Sequence, residues 1–333
     1  MRLPAFQYFG PVTKDEVLAL LASEGKGCAI IGGGTEIMGR MKHRLIGPDS
    51  VISLKGVAGL SGITRVNGEI RIGAMTTLRE IGESPLLGET AAALVEATRA
   101  VAAPPIQNVG TIGGNILQNT RCLYYNQSEL VRKGRDSCHK AGGGVCYAVP
   151  GSKRCFSVYQ GDIAPVLVAY GAAATLERVG SVRTVPVAEL FSGDGTLPLS
   201  IAPEELLTEI TIPASPGSVG SSYQKLRLRS SVDYALMSAA VVLSAQGEQI
   251  SRARVVLGAS GPAPQVVDGA AGVLEGRAPD DVDVDGVAEL AFKASEGINN
   301  LALPGAYRRE MARVFTRRAL GHAISTLKKE QRS

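Results

Sequence analysis

The chain has 333 residues, of which 45% are apolar and 20% charged, with 40 glycines and no tryptophan. This composition is typical of a globular protein and excludes a disordered or fibrous one, and the length predicts about two domains. The formal net charge is +4, and the stretch 306–333 alone carries eight Lys/Arg against two Asp/Glu. We interpret this basic stretch as a solvated helix face, because no aromatic residues are interleaved as in nucleic-acid-binding surfaces.

The N-terminus lacks the basic-then-apolar pattern of a signal peptide, and the longest apolar runs are too short to span a bilayer. The sequence therefore predicts a cytoplasmic protein with no membrane or nucleic-acid partner. In a reducing compartment, clustered cysteines are more often metal ligands than disulfides.

The first elements alternate between helix and strand. "DEVLALLASEG" has helical spacing, "GCAIIGGG" reads as a buried strand running into glycines, "TEIMGRMKHRL" as loop or helix, and "SVISLKGV" as a second strand. Residues 1–55 are therefore predicted to form a small α/β unit. Cys28 lies in the buried strand and is interpreted as an inert core thiol.

The run "IIGGGTE" (30–36) places three glycines directly after that strand. Glycines let the backbone approach a phosphate and turn its N–H groups inward. The pattern is neither a dinucleotide-binding G-x-G-x-x-G nor a P-loop. A tight structural turn would explain it about as well.

The region 56–213 is predicted to be a second α/β unit. "EIRIGAMTTLREIGES" reads as a strand entering a helix, and "GETAAALVEATRAVA" as one apolar helix. "NVGTIGGNIL" then repeats the glycine pattern, read as strand, glycine pair and polar residue, with Thr111 and Asn115 able to donate to phosphate or ribose oxygens. Two such loops suggest one long ligand with a pyrophosphate, although a pair of turns remains the alternative.

Four of the five cysteines lie in one glycine-rich, non-periodic segment, namely Cys122, Cys138, Cys146 and Cys155. They are separated by fifteen, seven and eight residues, which matches neither a zinc ribbon nor a ferredoxin. Four thiolates at one site would suit zinc or an iron–sulfur cluster. The alternative is scattered buried thiols, which the polar, glycine-rich segment disfavours. His139 could be a ligand, but we interpret it, like the isolated His43 and His322, as lying outside the site.

The rest of the chain is predicted to contain the helix "GDIAPVLVAYGA", a hairpin in "AATLERVGSVRTVPVAEL" and a linker at 213–222. Beyond it, "SYQKLRLR", "ALMSAAVVLSA" and "ISRARVVLGAS" read as antiparallel strands, and "VAELAFKASEG" and "YRREMARVFTRRALGHAIS" as helices. Residues 214–333 thus form an α+β unit, and the whole chain is assigned to the α+β class. No Ser-His-Asp, H-E-x-x-H or paired-carboxylate pattern indicates an acid–base or nucleophilic site.

The order of these motifs resembles that of a known family. "AIIGGGTEIMGRMK", "VISLKGVAGLSGI", "IRIGAMTTL", "NVGTIGGNIL", "GDIAPVLVAYGA" and "KLRLRSSVDYALMSAAVVL" are similar to segments of the FAD-binding medium subunits of the xanthine dehydrogenase and molybdenum hydroxylase family. The resemblance implies a two-part FAD-binding domain of the PCMH (vanillyl-alcohol oxidase-like) type, at 1–55 and 56–213. A C-terminal domain like that of the CO dehydrogenase flavoprotein would follow at 214–333.

The resemblance also implies a set of cofactor-binding residues. The two glycine loops would hold the FAD pyrophosphate and adjoining sugar, Asp162 the flavin side, and Lys225 would lie near the isoalloxazine ring, where a positive charge stabilises reduced flavin. At Glu36 the family more often has Asp. The implied FAD-binding residues are Ile31, Gly32, Gly33, Gly34, Thr35, Glu36, Ala74, Thr77, Thr111, Gly114, Asn115, Asp162 and Lys225.

The cysteine-rich insertion, 119–158, resembles that of the β subunit of 4-hydroxybenzoyl-CoA reductase. The resemblance implies a [4Fe-4S] cluster on the four cysteines, and a chain that passes electrons from ferredoxin through the cluster and FAD. The implied partners are a small subunit with two [2Fe-2S] clusters and a large molybdopterin subunit, in a dimer of heterotrimers. Two alternatives remain: a flavin subunit with structural zinc, and a non-enzymatic nucleotide-binding scaffold.

Overall fold

A three-stranded parallel sheet forms the N-terminal unit of the computed structural model, which describes residues 2–332. The strands lie in the order β1-β3-β2. Helix α1 begins at a capping box of Thr13 and Glu16 and buries Val17 and Leu21 against the sheet. The elements are β1 (Gln7–Phe9), α1 (Lys14–Glu24), β2 (Cys28–Ile31), α2 (Ile37–Lys42) and β3 (Ser50–Ser53). Strands and helices therefore alternate along residues 7–53.

A five-stranded antiparallel sheet, ordered β4-β5-β8-β6-β7, forms the second unit. Helix α9 is buried along its whole length in the largest core cluster. The elements are β4 (Ile63–Val66), β5 (Glu69–Gly73), α3 (Leu78–Glu83), α4 (Pro85–Thr90), α5 (Ala92–Ala100), α6 (Pro104–Gln107), α7 (Ile112–Ile116), α8 (Glu129–Lys133), α9 (Ile163–Tyr170), β6 (Ala173–Arg178), β7 (Ser181–Pro186) and β8 (Leu206–Ile212).

Two sequence predictions in this unit are wrong. The apolar run 88–102 is not one helix, because Ala91 leaves the helical region (φ −146°, ψ 53°) and separates α4 from α5. No strand precedes the second glycine pair, since α6 leads by a turn into α7. The hairpin of β6 and β7, with its turn at Val179 and Gly180, is as predicted.

The C-terminal unit is a four-stranded antiparallel sheet, ordered β12-β11-β10-β9, covered by helices. The predicted linker extends too far, because its second half already belongs to β9. The elements are β9 (Ser218–Leu226), β10 (Met237–Gln246), β11 (Gln249–Gly258), β12 (Gln265–Val266), α10 (Ala270–Leu274), α11 (Val284–Ala294) and α12 (Gly305–Arg332).

The basic stretch near the C-terminus is helix α12. Its apolar face packs Ala312, Ala319 and Leu327 into the core of this unit, which leaves most of its basic side chains on the outer face. Arg308 is the exception, since it is buried and donates to the carbonyl oxygens of Leu236, Ile298 and Ala259. Among residues 2–332, no helix combines the length and apolar character that crossing a bilayer requires.

Candidate cofactor cleft and cysteine cavity

The first glycine loop, 32–36, packs its backbone directly on the segment that precedes α7. A Cβ at Gly33 would lie 1.7 Å from the carbonyl oxygen of Val109, so no other residue fits. Gly34 has a left-handed backbone (φ 75°), which glycine adopts without strain. The two glycine loops therefore meet, although they are more than 70 residues apart in sequence.

The second glycine loop is fixed by its own side chains and by the strand end at Ala74. The Gly113 N–H donates to the carbonyl oxygen of Ala74 (2.9 Å), and the Gly114 N–H donates to the Thr111 hydroxyl (3.1 Å). A Cβ at Gly114 would meet within 4 Å only that hydroxyl, at 3.1 Å. Gly114 therefore faces open space, whereas Gly33 faces backbone.

Two adjoining cavities meet at these loops, with volumes of about 150 Å³ and about 300 Å³. Because they share lining residues, we treat them as one cleft with two ends. The shared residues are Thr35, Glu36, Thr111, Gly114 and Gln118.

Unused backbone donors face this junction. The N–H groups of residues 33–36 form no hydrogen bond with any group between residues 2 and 332. Successive free N–H groups in a glycine turn make an anion-binding concavity. An elongated cleft with such a turn at its middle fits a dinucleotide whose pyrophosphate crosses between the loops.

Asp162 lies at one end of the cleft, immediately before α9, and is held by two partners. Lys225 Nζ lies 2.9 Å from one carboxylate oxygen, and the Tyr223 hydroxyl donates to the other at 2.5 Å. Burial raises the pKa of Asp162, and the charge of Lys225 opposes that rise. Both partners come from β9, so the pair ties the C-terminal sheet to the cleft.

Other expected cofactor residues occupy different places. Ala74 lines the larger end, and Asn115 lines the smaller end and accepts from the Ile163 N–H. Within the described chain, Ile31, Thr77 and Lys225 do not line either end. Thr77 instead caps α3 with Glu80, and Lys225 stands behind Asp162.

Several cleft residues were not singled out from the sequence. Tyr234, Val232 and Ala102 line the smaller end. Ala102 and Val232 both have a positive φ, and the Val232 N–H donates to the Ala102 carbonyl oxygen. Positive φ is rare in residues other than glycine, so residue type does not predict this backbone conformation at Ala102 or Val232. Tyr234 lies in a segment that carried the family resemblance, which was the available signal.

The four clustered cysteines line one small cavity of about 20 Å³, together with His139 and Lys140. All are free thiols, and so is Cys28, which packs in the N-terminal core away from this cavity. His139 lines the same cavity, and its Nε2 lies 2.9 Å from the Ser152 carbonyl oxygen.

The cavity does not match a compact single-ion site. In residues 2–332, no group of three or more His, Cys, Asp or Glu side chains is arranged to hold a metal ion. A tetrahedral zinc would need four sulfurs at about 2.3 Å from one point. The four cysteines line one cavity without such an arrangement in the described residues.

Burial dominates the electrostatics of the cysteine cavity. It raises the pKa of Cys122 to about 11, a rise to which Cys155 and Cys138 add. It lowers the pKa of Lys140 to about 8, against the pull of Cys155. Burial therefore favours the protonated thiol of Cys122, and a metal bound there would have to displace that proton.

Arg121, the residue before Cys122, connects the cavity to the cleft. Its guanidinium lies 4.0 Å from the ring centre of Tyr234 and 3.9 Å from Glu36, which also pairs with Arg40 at 3.7 Å. Its Nε is buried and has no hydrogen-bond partner in the part of the chain that is described. The cysteine site and the cofactor cleft are therefore neighbours.

Together, the cleft between two glycine loops and the antiparallel C-terminal sheet define a protein that binds one long phosphate-bearing nucleotide. Residues 4–215 match the FAD binding domain in molybdopterin dehydrogenase, and residues 221–323 match the CO dehydrogenase flavoprotein C-terminal domain. The chain belongs to this family of FAD-binding oxidoreductase subunits.

Relatives cover almost the whole chain. The carbon monoxide dehydrogenase medium chain of Hydrogenophaga pseudoflava is 28% identical over 96% of this chain and 97% of its own. The nicotine 6-hydroxylase medium subunit of Paenarthrobacter nicotinovorans is 27% identical over 97% and 99%. A solved structure of the Hydrogenophaga pseudoflava enzyme superposes with a TM-score of 0.80, at 26% identity, over 98% of this chain and 100% of that one. The predicted α+β fold and the predicted family are thus confirmed.

Proposed function

We propose that this chain is the FAD- and [4Fe-4S]-carrying electron-transfer subunit of a reductase in the molybdenum hydroxylase family. The observation that supports it best is the convergence of four cysteines on one cavity beside the FAD cleft. Its functional counterpart would be the β subunit of 4-hydroxybenzoyl-CoA reductase, whose insertion the cysteine segment resembles. The substrate would then be an aromatic CoA thioester that loses its phenolic hydroxyl on another subunit.

The residues of this chain would position the two cofactors and tune their reduction potentials, rather than react with the substrate. When bound, FAD exchanges one or two electrons and an iron–sulfur cluster exchanges one at a time. The backbone N–H groups of 33–36 would hold the pyrophosphate, and Thr111, Gly114 and Asn115 would border it. Asp162 would face the flavin end, with its charge balanced by Lys225.

The proposed assembly follows the relatives, which are named as medium chains and subunits. A large molybdopterin-binding subunit and a small subunit with two [2Fe-2S] clusters would complete a heterotrimer, which would pair into a dimer. Ferredoxin would donate electrons, and the complex would be cytoplasmic.

The first test replaces one cysteine in the cavity. Cys146→Ser should lose the iron and the broad iron–sulfur absorption while keeping FAD, because the cleft contains none of these cysteines. Iron, sulfide and flavin are measured on anaerobically purified protein. Cys28→Ser, the fifth cysteine, should keep both cofactors and serves as the control.

The same measurements separate the alternatives. About four irons per wild-type chain support the proposal, whereas one zinc with no iron or sulfide would reject the cluster and keep the flavin. Full iron content in Cys146→Ser would remove that cysteine from the ligand set. The scaffold hypothesis is not supported, because the chain belongs to an oxidoreductase family.

A further inference from the structure

Lys140 lies inside the cysteine segment, between Cys138 and Cys146, and its side chain lines the cavity. Its Nζ donates to the Thr120 hydroxyl at 2.6 Å and to the Gly195 carbonyl oxygen at 2.5 Å. Gly195 belongs to the loop after β7, outside the insertion. The ammonium is therefore held at a fixed position, at the boundary between the insertion and the FAD-binding unit.

The same anchor holds one of the sulfurs. The Ser157 hydroxyl oxygen lies 2.7 Å from the Thr120 hydroxyl and 2.8 Å from the Gly195 carbonyl oxygen, and the Ser157 N–H donates to the Cys155 sulfur at 3.4 Å. Gly195 is close enough that a Cβ there would lie 3.0 Å from that sulfur. Lysine and thiol thus share one hydrogen-bonded network.

The surroundings of Lys140 do not neutralise its charge. Both acceptors are uncharged, and no ion pair joins Lys140 to a carboxylate among residues 2–332. Asp194 acts on it only at longer range. Burying an ammonium without a counter-charge costs free energy, so such groups in proteins are usually paired. The groups whose negative charge acts on Lys140 include the sulfurs of Cys155 and Cys122, which line the same cavity.

We propose that Lys140 is the resident counter-charge of the four-cysteine site and raises the reduction potential of the cluster proposed there. This inference rests on the proposed function. A cluster on four thiolates is anionic and becomes more so on reduction, so a fixed cation beside it favours the reduced form. Net charge and hydrogen bonds to sulfur are the levers by which proteins set such potentials.

The test is a mediated titration with dithionite, followed by electron paramagnetic resonance of the reduced cluster. Lys140→Gln should lower the reduced-to-oxidised ratio at fixed potential at least tenfold, which is about 59 mV for one electron. Lys133→Gln removes the same charge from exposed helix α8, outside the cavity, and should shift far less. Lys140→Arg keeps the charge and should keep the potential.

The outcomes are distinguishable. Wild-type protein without iron would refute the proposed function itself. An iron-replete Lys140→Gln variant with an unshifted potential would overturn only the role of Lys140. If Lys140→Gln loses iron while Lys140→Arg retains it, the positive charge is required and the inference holds. If both lose iron but keep flavin, the lysine is a geometric tether and the inference fails.

Discussion

The two loops contain glycine for different physical reasons, and the sequence motif does not distinguish between them. Gly33 is required because the chain passes against the Val109 carbonyl, so its role is to let two backbones touch. Gly114 has no such neighbour and leaves space in the cleft. Gly33 is therefore required by the packing of two backbones, whereas Gly114 lines the cleft.

Gly114→Val should weaken FAD binding strongly, because a branched side chain would fill space at the junction of the two cleft ends. Flavin content after purification and the Kd from titration of the flavin-free protein measure the effect. Gly88→Val is the control, since Gly88 is also helical and has nothing within 4 Å of an added Cβ, but lies away from the cleft. Equal flavin content in both variants would remove the second loop from the site.

At the scale of elements, a buried ion pair at the cleft joins β9 to the start of α9. Lys225 and Asp162 have side chains only 4% and 5% exposed, so neither charge can turn to water if its partner is lost. Removing one partner from a buried ion pair is far more costly than removing both. This pair therefore contributes to the docking of the C-terminal sheet.

Lys225→Met should destabilise the protein by about 3–5 kcal/mol, because Asp162 would remain buried without its counter-charge. The free energy of unfolding in urea, followed by circular dichroism, measures the loss. The double variant Asp162→Asn/Lys225→Met should recover part of it. A double variant less stable than the single one would show that the pair is not the source.

A second ion pair, between Arg183 in β7 and Glu205 in the turn before β8, makes the stability depend on pH. The Arg183 guanidinium, followed by the Ala202 N–H, holds the pKa of Glu205 below its usual 4.5, and burial opposes this. A lowered folded-state pKa gives stability that is present above the unfolded pKa and is lost as pH falls through the folded one.

Arg183→Met should therefore lower the urea midpoint at pH 7, and the difference from wild type should shrink below about pH 4.5 as Glu205 becomes protonated in both. Because Arg183 is substantially exposed, we expect a modest effect. Midpoints measured between pH 3 and pH 7 test it. A difference that stays constant over that range would contradict the role of this pair.

At the scale of the whole molecule, the sequence predicts individual helices and strands better than the tertiary contacts between them. Alternation identified β9 to β11, and turn residues located the hairpin at Val179. The break at Ala91 was not predictable, since an alanine carries no breaking signal and tertiary packing imposes its backbone. The position of Lys225 behind Asp162 depends on how two sheets dock, which no local pattern encodes.

The cysteine insertion contacts all three units of the fold. Arg132 donates to the carbonyl oxygens of His43 and Arg44 after α2, and the Leu123 N–H donates to Asn300 before α12. Lys140 reaches the loop after β7. The residues in these contacts are distant in sequence. The spacing of the cysteines alone could therefore suggest a metal site but not which parts of the fold surround it.

The insertion enters and leaves the domain side by side. Arg121 and Val158 exchange two backbone hydrogen bonds of 2.7 Å, which hold the two ends of the insertion together. A chain lacking that stretch would need only a tight turn to rejoin the same two ends. The cysteine-bearing stretch therefore begins and ends at one place, so its removal would leave the strands of the three sheets in place.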